Sequence, residues 1–268
     1  MGTGDMRVSA LFRYPVKSMQ GERLESAVVG THGIVGDRQW GLLDLDTGLM
    51  LTARREPALL MARARLVAAP NVHDAELDAE VEITLPDGTV AVDDATLSAW
   101  FGRRVELHRA DPDHAATYEI STSIDDEAAA PWMQWTGPRG SFHDSTKTQV
   151  SLLSEGSMRE WEWRRFRANV VVTGSDGAED GLVGEHLQIG SGATFDVRAQ
   201  IERCVMTTRP QPASDQGAAL ERDLSVLKTI NAERATFLAI GMLVEHAGTI
   251  TVGDDVRVAI NASSEDGP

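Results

Sequence analysis

Cysteine is almost missing from this chain: one residue, Cys204, in 268. A single thiol excludes an internal disulfide and any thiolate-ligated iron–sulfur cluster built from this chain alone. The seven histidines are scattered, with no HExxH helix and no Cys/His spacing suited to zinc. A metal centre here has one protein sulfur and whatever a cofactor brings. Long apolar runs are missing too. No segment approaches the roughly 20 uninterrupted apolar residues that cross a bilayer, and the opening MGTGDMRVSALFRYPVKS lacks the basic, apolar and small-residue zones of a secretory signal. A cytoplasmic protein that engages no membrane is expected. Basic charge is in the minority: 25 Lys and Arg against 41 Asp and Glu give a net charge of −16, which disfavours nucleic acid as a partner. Nor is there a strand–GxGxxG–helix fingerprint for a dinucleotide.

What is there is β patterning. The hydrophobic fraction of 42% suits a globular protein, and the length allows one large domain or two small ones. VSALFRY, LESAVVG and QWGLLDLDTGLMLT are short apolar runs, the last closed by a turn at Asp46-Thr47-Gly48. VEITLPDGTVAV places Val81, Ile83 and Leu85 on one face, turns at Pro86-Asp87-Gly88 and returns through Val90 and Val92. A short helix, ATLSAWFG, and a strand, RVELHRA, follow. Residues 111–147 mix Asp, Ser, Thr, Pro and Gly with tryptophans and are expected to be an irregular connection.

Beyond it, TQVSLL, FRANVVVTG, HLQIG, ATFDVRAQI and FLAIGMLVE read as strands. So does TITVGDDVRVAI, with Val256, Val258 and Ile260 alternating. SEGSMREWEWRR suggests a helix opened by a Ser157/Glu160 capping box, and AALERDLSVLKTINAE one with Leu220, Leu224, Leu227 and Ile230 on one side. The fold class is mainly β with a few helices (α+β). The expected organisation is an N-terminal β-rich domain over 1–110, a connecting segment over 111–147, a β-barrel over 148–262 and a tail over 263–268.

Candidate chemistry gathers in a few short segments. Cys204 lies in AQIERCVMTTRPQ, where a strand pattern runs into a Pro-containing loop. By residue type alone a lone cysteine is most often a small buried hydrophobe. Its neighbours point elsewhere: Arg203 can favour the thiolate, Thr207 and Thr208 offer hydroxyls, and a thiolate suits a soft metal. YPVKS couples a fixed proline to Lys17 and Ser18, a grouping suited to an anion. GDRQW places Arg38 where its guanidinium can grip phosphate; a surface charge is the alternative. In RFRAN the i, i+2 spacing of Arg167 and Asn169 sets both on one strand face. SEGS, with Ser154, supplies hydroxyls and backbone N–H groups for an anion, although helix capping explains it equally. Trp132, Trp135, Trp161 and Trp163 can stack on a ligand or fill a core. His143 and Asp144 form a possible acid/base pair.

In this order, YPVKS, GDRQW, LTARREP, LLSEGS, RFRANVVVTG, ERCVMTT and GTITVGDDV resemble the MOSC family in its version with an N-terminal β-barrel domain, from about residue 6 to 260. That grouping includes the mitochondrial amidoxime-reducing component and related bacterial reductases. The resemblance implies a molybdenum–pterin cofactor, with Cys204 as catalytic residue and metal ligand, and with Lys17, Ser18, Arg38, Ser154, Arg167, Asn169, Arg203 and Thr207 around the cofactor. It further implies reduction of an N-hydroxylated small-molecule substrate with electrons from a separate donor of the ferredoxin, cytochrome or flavin reductase type. Two other roles accompany it: a noncatalytic carrier of the molybdenum cofactor, and a sulfur carrier acting through a Cys204 persulfide. The chain departs from the reductases in two respects. Ala168 stands where they usually have proline, and NASSEDGP follows the last strand with no cysteines of the ferredoxin domain that some bacterial relatives carry.

Overall fold

The computed structural model describes residues 6–67, 80–121 and 131–259. Its largest element is an eight-stranded sheet in the order Val256–Val258, His186–Ile189, Ala193–Glu202, Phe237–His246, Val150–Ser154, Val170–Val172, Val8–Arg13 and Glu22–Leu24. Neighbours are antiparallel except Val150–Ser154 and Val170–Val172, which run parallel. The ten-residue strands Ala193–Glu202 and Phe237–His246 pair with three register irregularities. Each such irregularity bends and twists a strand, so the sheet curls around Leu152, Val170, Phe195, Ile240 and Met242. The mainly β reading of the sequence holds, with an N-terminal β-rich region followed by this half-barrel.

The N-terminal region builds a second sheet in the order Val105–Arg109, Trp40–Asp44, Leu49–Met50, Ala115–Ser121 and Trp132–Arg139. A three-stranded meander of Arg63–Leu66, Val81–Thr84 and Val90–Ala91 and the helix Asp94–Phe101 complete it around Leu42, Leu59, Leu60, Ile83 and Leu97. The expected turn at Asp46–Gly48 forms because Asp44 Oδ1 accepts the N–H groups of Asp46 and Thr47, while Gly48 supplies φ 69°. Asp93 caps the helix by accepting from Thr96 N, and Gly102 ends it in the left-handed conformation. No described helix is long and apolar enough to cross a membrane.

Several expectations need correction. The stretch over 111–147 is not a wholly irregular connection: among its described residues, Ala115–Ser121 and Trp132–Arg139 form an antiparallel pair at one side of the second sheet. Most of their side chains are half-exposed on both faces, so no apolar alternation marks them. The helix after the Val150–Ser154 strand is only Glu155–Met158, capped by Ser154 and not by Ser157. Arg159, at φ 53°, stops it before Glu160 can close a box. The longer helix begins at Leu224 because Asp223 caps it through Ser225 N; Leu220 lies outside, bridged to Gln211, and Leu224 is exposed. Val226, Leu227 and Ile230 make its buried face. Ile260 and the 263–268 tail lie outside the described residues.

One connection governs the site. The strand Val8–Arg13 pairs with Val170–Val172, so it belongs to the curled sheet. The chain then crosses to the other half, where Lys17 N donates to Trp40 O at 2.7 Å and Gln20 N to Ala62 O at 3.0 Å. It returns through Gly21, where an added Cβ would stand 2.1 Å from the Arg13 carbonyl oxygen. Residues 14–20 are thereby tied at both ends. Gly21→Ala should cost about 1–3 kcal/mol in urea unfolding, because a backbone oxygen has to yield. Gly192→Ala, which meets nothing within 4 Å, should stay within about 0.5 kcal/mol of wild type. Equal effects of the two would refute the close approach.

Candidate functional site

Residues from both halves wall a single cavity. Lys17, Ser18 and Arg38 contribute from the first half, and Arg167, Asn169, Arg203, Cys204 and Thr207 from the second. Ser154 is not among them. It is fully buried at the start of the short helix, its Oγ accepting from Ser157 N at 3.2 Å and lying 3.0 Å from Ser175 O. Helix capping, the other reading of that serine, accounts for it.

Lys17 and Arg203 are buried and Arg38 and Arg167 partly so, and main-chain carbonyls hold all four. Lys17 Nζ donates to Phe142 O at 2.8 Å and to Asp144 Oδ1 at 2.5 Å, and stands 4.5 Å from the centroid of the Tyr118 ring. Arg38 Nη2 donates to Arg167 O at 3.0 Å, and its Nη1 meets Asp37 Oδ2 and Asn169 Oδ1. Arg167 Nη1 donates to Met19 O at 2.5 Å, with its guanidinium 4.3 Å from the Tyr14 ring centroid; Arg38 lies 4.9 Å from the same ring. Arg203 donates through Nε to Leu238 O at 2.7 Å and through Nη1 to Phe166 O at 2.9 Å. Its buried Nη2 has no partner among the described residues. Desolvation pushes Arg167 and Arg203 down to about 10, and it lowers Lys17 despite the opposing charge of Asp144.

Ser18, Arg38 and Arg167 all have positive φ, at 69°, 50° and 53°. Non-glycine residues in this region cost about 1–3 kcal/mol each and gather at functional sites. Arg167 and Asn169 are therefore not brought together by strand alternation. They lie in the irregular approach to Val170–Val172, and the left-handed turn at Arg167 sets its direction. Asn169 is fully engaged: Oδ1 accepts from Ser151 N and Ser151 Oγ, and Nδ2 donates to Phe12 O. It braces the wall. Cys204 is half-buried, two residues beyond the Ala193–Glu202 strand, in an extended conformation that caps the turn Val205–Thr208. Thr207 spends both its N–H and its hydroxyl on the Cys204 carbonyl, at 3.1 and 3.0 Å, which fixes the sulfur's presentation.

The wall contains residues whose role the sequence did not disclose. Asp144 is the ion partner of Lys17, and desolvation that would raise its carboxyl pKa is outweighed by the Lys17 charge and hydrogen bond, which hold it below the ordinary value. His143 is buried beside it, with Nε2 making no hydrogen bond among the described residues and lying 4.0 Å from Asp37 Oδ2. Burial, aided by Arg38, takes its pKa down to about 4. Arg54, from LTARREP, and Arg165, from RRFRAN, add two more cations. Motif position was the only signal for these, since the contacts join segments remote in sequence. The tryptophans are elsewhere: Trp163 stacks on Phe12 at 3.8 Å, Trp161 tilts against Phe166, Trp135 stacks on Tyr118, and Trp132 receives Arg55.

Comparison with known proteins places both halves. Residues 5–134 match the model of the MOSC N-terminal beta barrel domain, and residues 139–257 match that of the MOSC domain. The molybdenum cofactor sulfurase of Danio rerio is 24% identical over 267 residues, which cover 85% of this chain and 31% of that protein. The chain thus spans about a third of the length of that relative. Among solved structures, the YUAD protein from Bacillus subtilis is similar at 11% identity and a TM-score of 0.40, covering 94% of each chain. YiiM from Geobacillus stearothermophilus matches at 13% identity and a TM-score of 0.34, over 55% of this chain and 74% of that one. With two successive family models spanning nearly its whole length, the chain belongs to the MOSC family in the form that carries an N-terminal β-barrel domain.

Proposed function

We propose that the cavity binds a molybdenum–pterin cofactor and that the protein is an oxidoreductase acting on N-hydroxylated small molecules. Six cations line the cavity against two carboxylates, in a protein whose net charge is −16. That local surplus, around one accessible sulfur, is what an anionic ligand with a soft metal requires. The unpartnered Nη2 of Arg203 and Nε2 of His143 support the same reading, since buried polar atoms without partners are costly until a ligand meets them.

Cys204 would give its thiolate to the metal. Lys17, Arg38, Arg167 and Arg203 would hold the anionic pterin phosphate; carbonyl partners leave the charges of Arg167 and Arg203 standing, while Asp144 and Asp37 offset those of Lys17 and Arg38. Ser18 accepts from Ala53 N at 2.9 Å, which leaves its hydroxyl proton for a ligand. When bound, the cofactor supplies two-electron chemistry, while the protein positions it and controls access. Reduction of an N–OH group to N–H takes two electrons and two protons and releases water. With one cysteine and no dinucleotide fingerprint, this chain draws those electrons from a separate ferredoxin, cytochrome or flavin reductase. A second reading is favoured by the sulfurase relative and by the partial exposure of Cys204: Cys204 carries a persulfide whose outer sulfur passes to the cofactor as sulfide, with the two electrons coming from external thiols that end as a disulfide.

Three measurements test these statements. Protein purified from a host that makes the pterin should contain about one molybdenum per chain and should convert amidoximes with an artificial low-potential reductant. Its absence of molybdenum would end the cofactor reading, and a loaded protein inert toward amidoximes, N-hydroxylamines and N-oxides would end the reductase reading. Cys204→Ser should lose metal or activity because a hydroxyl is a poor donor to a soft centre; persulfide on wild-type Cys204, found by mass spectrometry and transferable to the cofactor, would favour sulfur carriage. Replacing Arg203 by Gln should lower pterin content with unchanged circular dichroism, since one hydrogen bond to a charged group is worth roughly 1.5–3 kcal/mol.

The pH dependence of folding follows from His143. Its folded pKa of about 4 lies below the ordinary 6.5, so the unfolded chain takes up the proton first. The stabilisation is complete above the unfolded value and is lost as pH falls through the folded one. Between pH 7 and 4.5 wild type should lose about 2–3 kcal/mol more than His143→Gln in urea unfolding. Parallel pH slopes for the two proteins would contradict the burial of a neutral imidazole.

A further inference from the structure

Arg203 is fastened to one short segment by both its main chain and its side chain. Its N–H donates to Thr236 O at 2.8 Å and its Nε to Leu238 O at 2.7 Å. That segment carries the chain from the helix Leu224–Arg234 into the strand Phe237–His246, and its backbone is strained. Ala235, Thr236 and Ala239 have φ of 48°, 73° and 77°, and for a β-branched threonine such a value is an outlier. The register breaks here as well, with Gln200 opposite Ile240 but Glu202 opposite Phe237. A bulge of this kind releases carbonyls from the ladder and re-aims them. Backbone in such a state keeps one conformation where its surroundings over-determine it.

Arg234, the last residue of the helix, supplies that constraint from outside the cavity. Its Nε donates at 3.2 Å to Phe237 O, the carbonyl between the two that Arg203 uses. Its other nitrogens are anchored. Nη1 donates to Asp176 Oδ1 and Nη2 to Asp180 Oδ2, each at 2.6 Å, and Glu179 Oε1 lies 3.9 Å from Nη2. The anchors are tied in turn. Gln200, on the strand that leads to Arg203, donates through Nε2 to Asp180 Oδ1 at 3.1 Å, and the fully buried Glu179 accepts from Ser157 Oγ at 2.9 Å. Isolated ion pairs at a surface hold little, but several carboxylates converging on one planar guanidinium fix its orientation. The remaining edge of that guanidinium then fixes the Phe237 carbonyl.

We propose that Arg234 is a positioning residue for the cofactor centre: held by Asp176, Glu179 and Asp180, it sets the carbonyls of residues 236–238 that aim Arg203 into the cavity beside Cys204. The assignment rests on the cofactor reading of that cavity. Arg234 does not line the cavity and acts through Arg203 alone.

Two variants separate this role from general support of the fold. Arg234→Lys keeps a positive charge beside the three carboxylates but loses the rigid fork that reaches two of them and Phe237 O together. Arg159→Gln disturbs the same cluster, since Arg159 pairs with Asp176 and Glu233, yet Arg159 makes no hydrogen bond to residues 236–238 among those described. In the cofactor-free full chain, hydrogen exchange at the Arg203 Nε–H is followed by nitrogen-15 NMR, the resonance being assigned by its loss in Arg203→Gln. Exchange should quicken by about tenfold in Arg234→Lys and stay at the wild-type rate in Arg159→Gln. In pterin-loaded protein, Arg234→Lys should speed pterin release, read by fluorescence, by about three- to tenfold. The same substitution made in Arg203→Gln should change release by less than about twofold, because the residue through which it acts is gone. Arg234→Asn serves as a second variant if the lysine protein does not fold, and is read in the same way. Unchanged Arg203 exchange, an equal effect from Arg159→Gln, or equal acceleration of release with and without Arg203 would overturn the proposal. Absence of pterin from wild type would end the cofactor reading instead, and the exchange rates would still decide whether Arg234 holds Arg203.

Discussion

Positive charge buried without full neutralisation is the constraint on which the rest of this structure depends. A cation taken out of water costs several kcal/mol unless its donors are met. Carboxylates would meet them and cancel the charge as well. Here backbone carbonyls take most of that part: Phe142 O for Lys17, Arg167 O for Arg38, Met19 O for Arg167, and Leu238 O and Phe166 O for Arg203. A carbonyl satisfies an N–H with a dipole and leaves the net charge standing. Asp37 and Asp144 offset part of it, and burial holds Arg167 and Arg203 below their ordinary pKa.

Carbonyls can serve this way where the backbone is not already paired in a ladder, which places the cavity among segments between strands and at the register irregularity near Leu238 in the strand Phe237–His246. Those segments are held in costly conformations. Ser18, Arg38 and Arg167 are left-handed, and so is Ala239, next to the carbonyl of Leu238 that receives Arg203. Such strain persists when the surroundings over-determine it. The curled sheet does so on one side through Val8–Arg13 and Val170–Val172, and the N-terminal region does so on the other through Trp40 and Ala62, which pin residues 17–20. The two halves hold the cavity jointly.

Local patterns that express a single physical requirement are legible in the amino-acid order alone. The Asp46–Gly48 turn, the hairpin at Pro86–Gly88 and the helix at 94–101 follow from short-range geometry, and each is present. Patterns fail where a segment is bounded by something remote. The strands at 115–121 and 132–139 carry no apolar alternation because both their faces stay half-exposed. Helical spacing at Leu220 is overridden by a bridge to Gln211, and the Ser157 box by the turn at Arg159.

Sequence by itself determined the β-rich fold class, the family, the scarcity of sulfur ligands and most of the residue types that meet at the cavity. Those follow from composition, from periodicity and from short motifs in order. Tertiary structure decided which of them meet. It drew Asp144 onto Lys17, placed His143 beside Asp37, brought Arg54 and Arg165 into the wall, and withdrew Ser154 into a helix cap. It also left Tyr118 and Thr52 with hydroxyls that bond to nothing among the described residues, a property no side chain carries in its name. The physical reason is that charge pairing and desolvation act through space, between segments whose separation along the chain says nothing about their distance once folded.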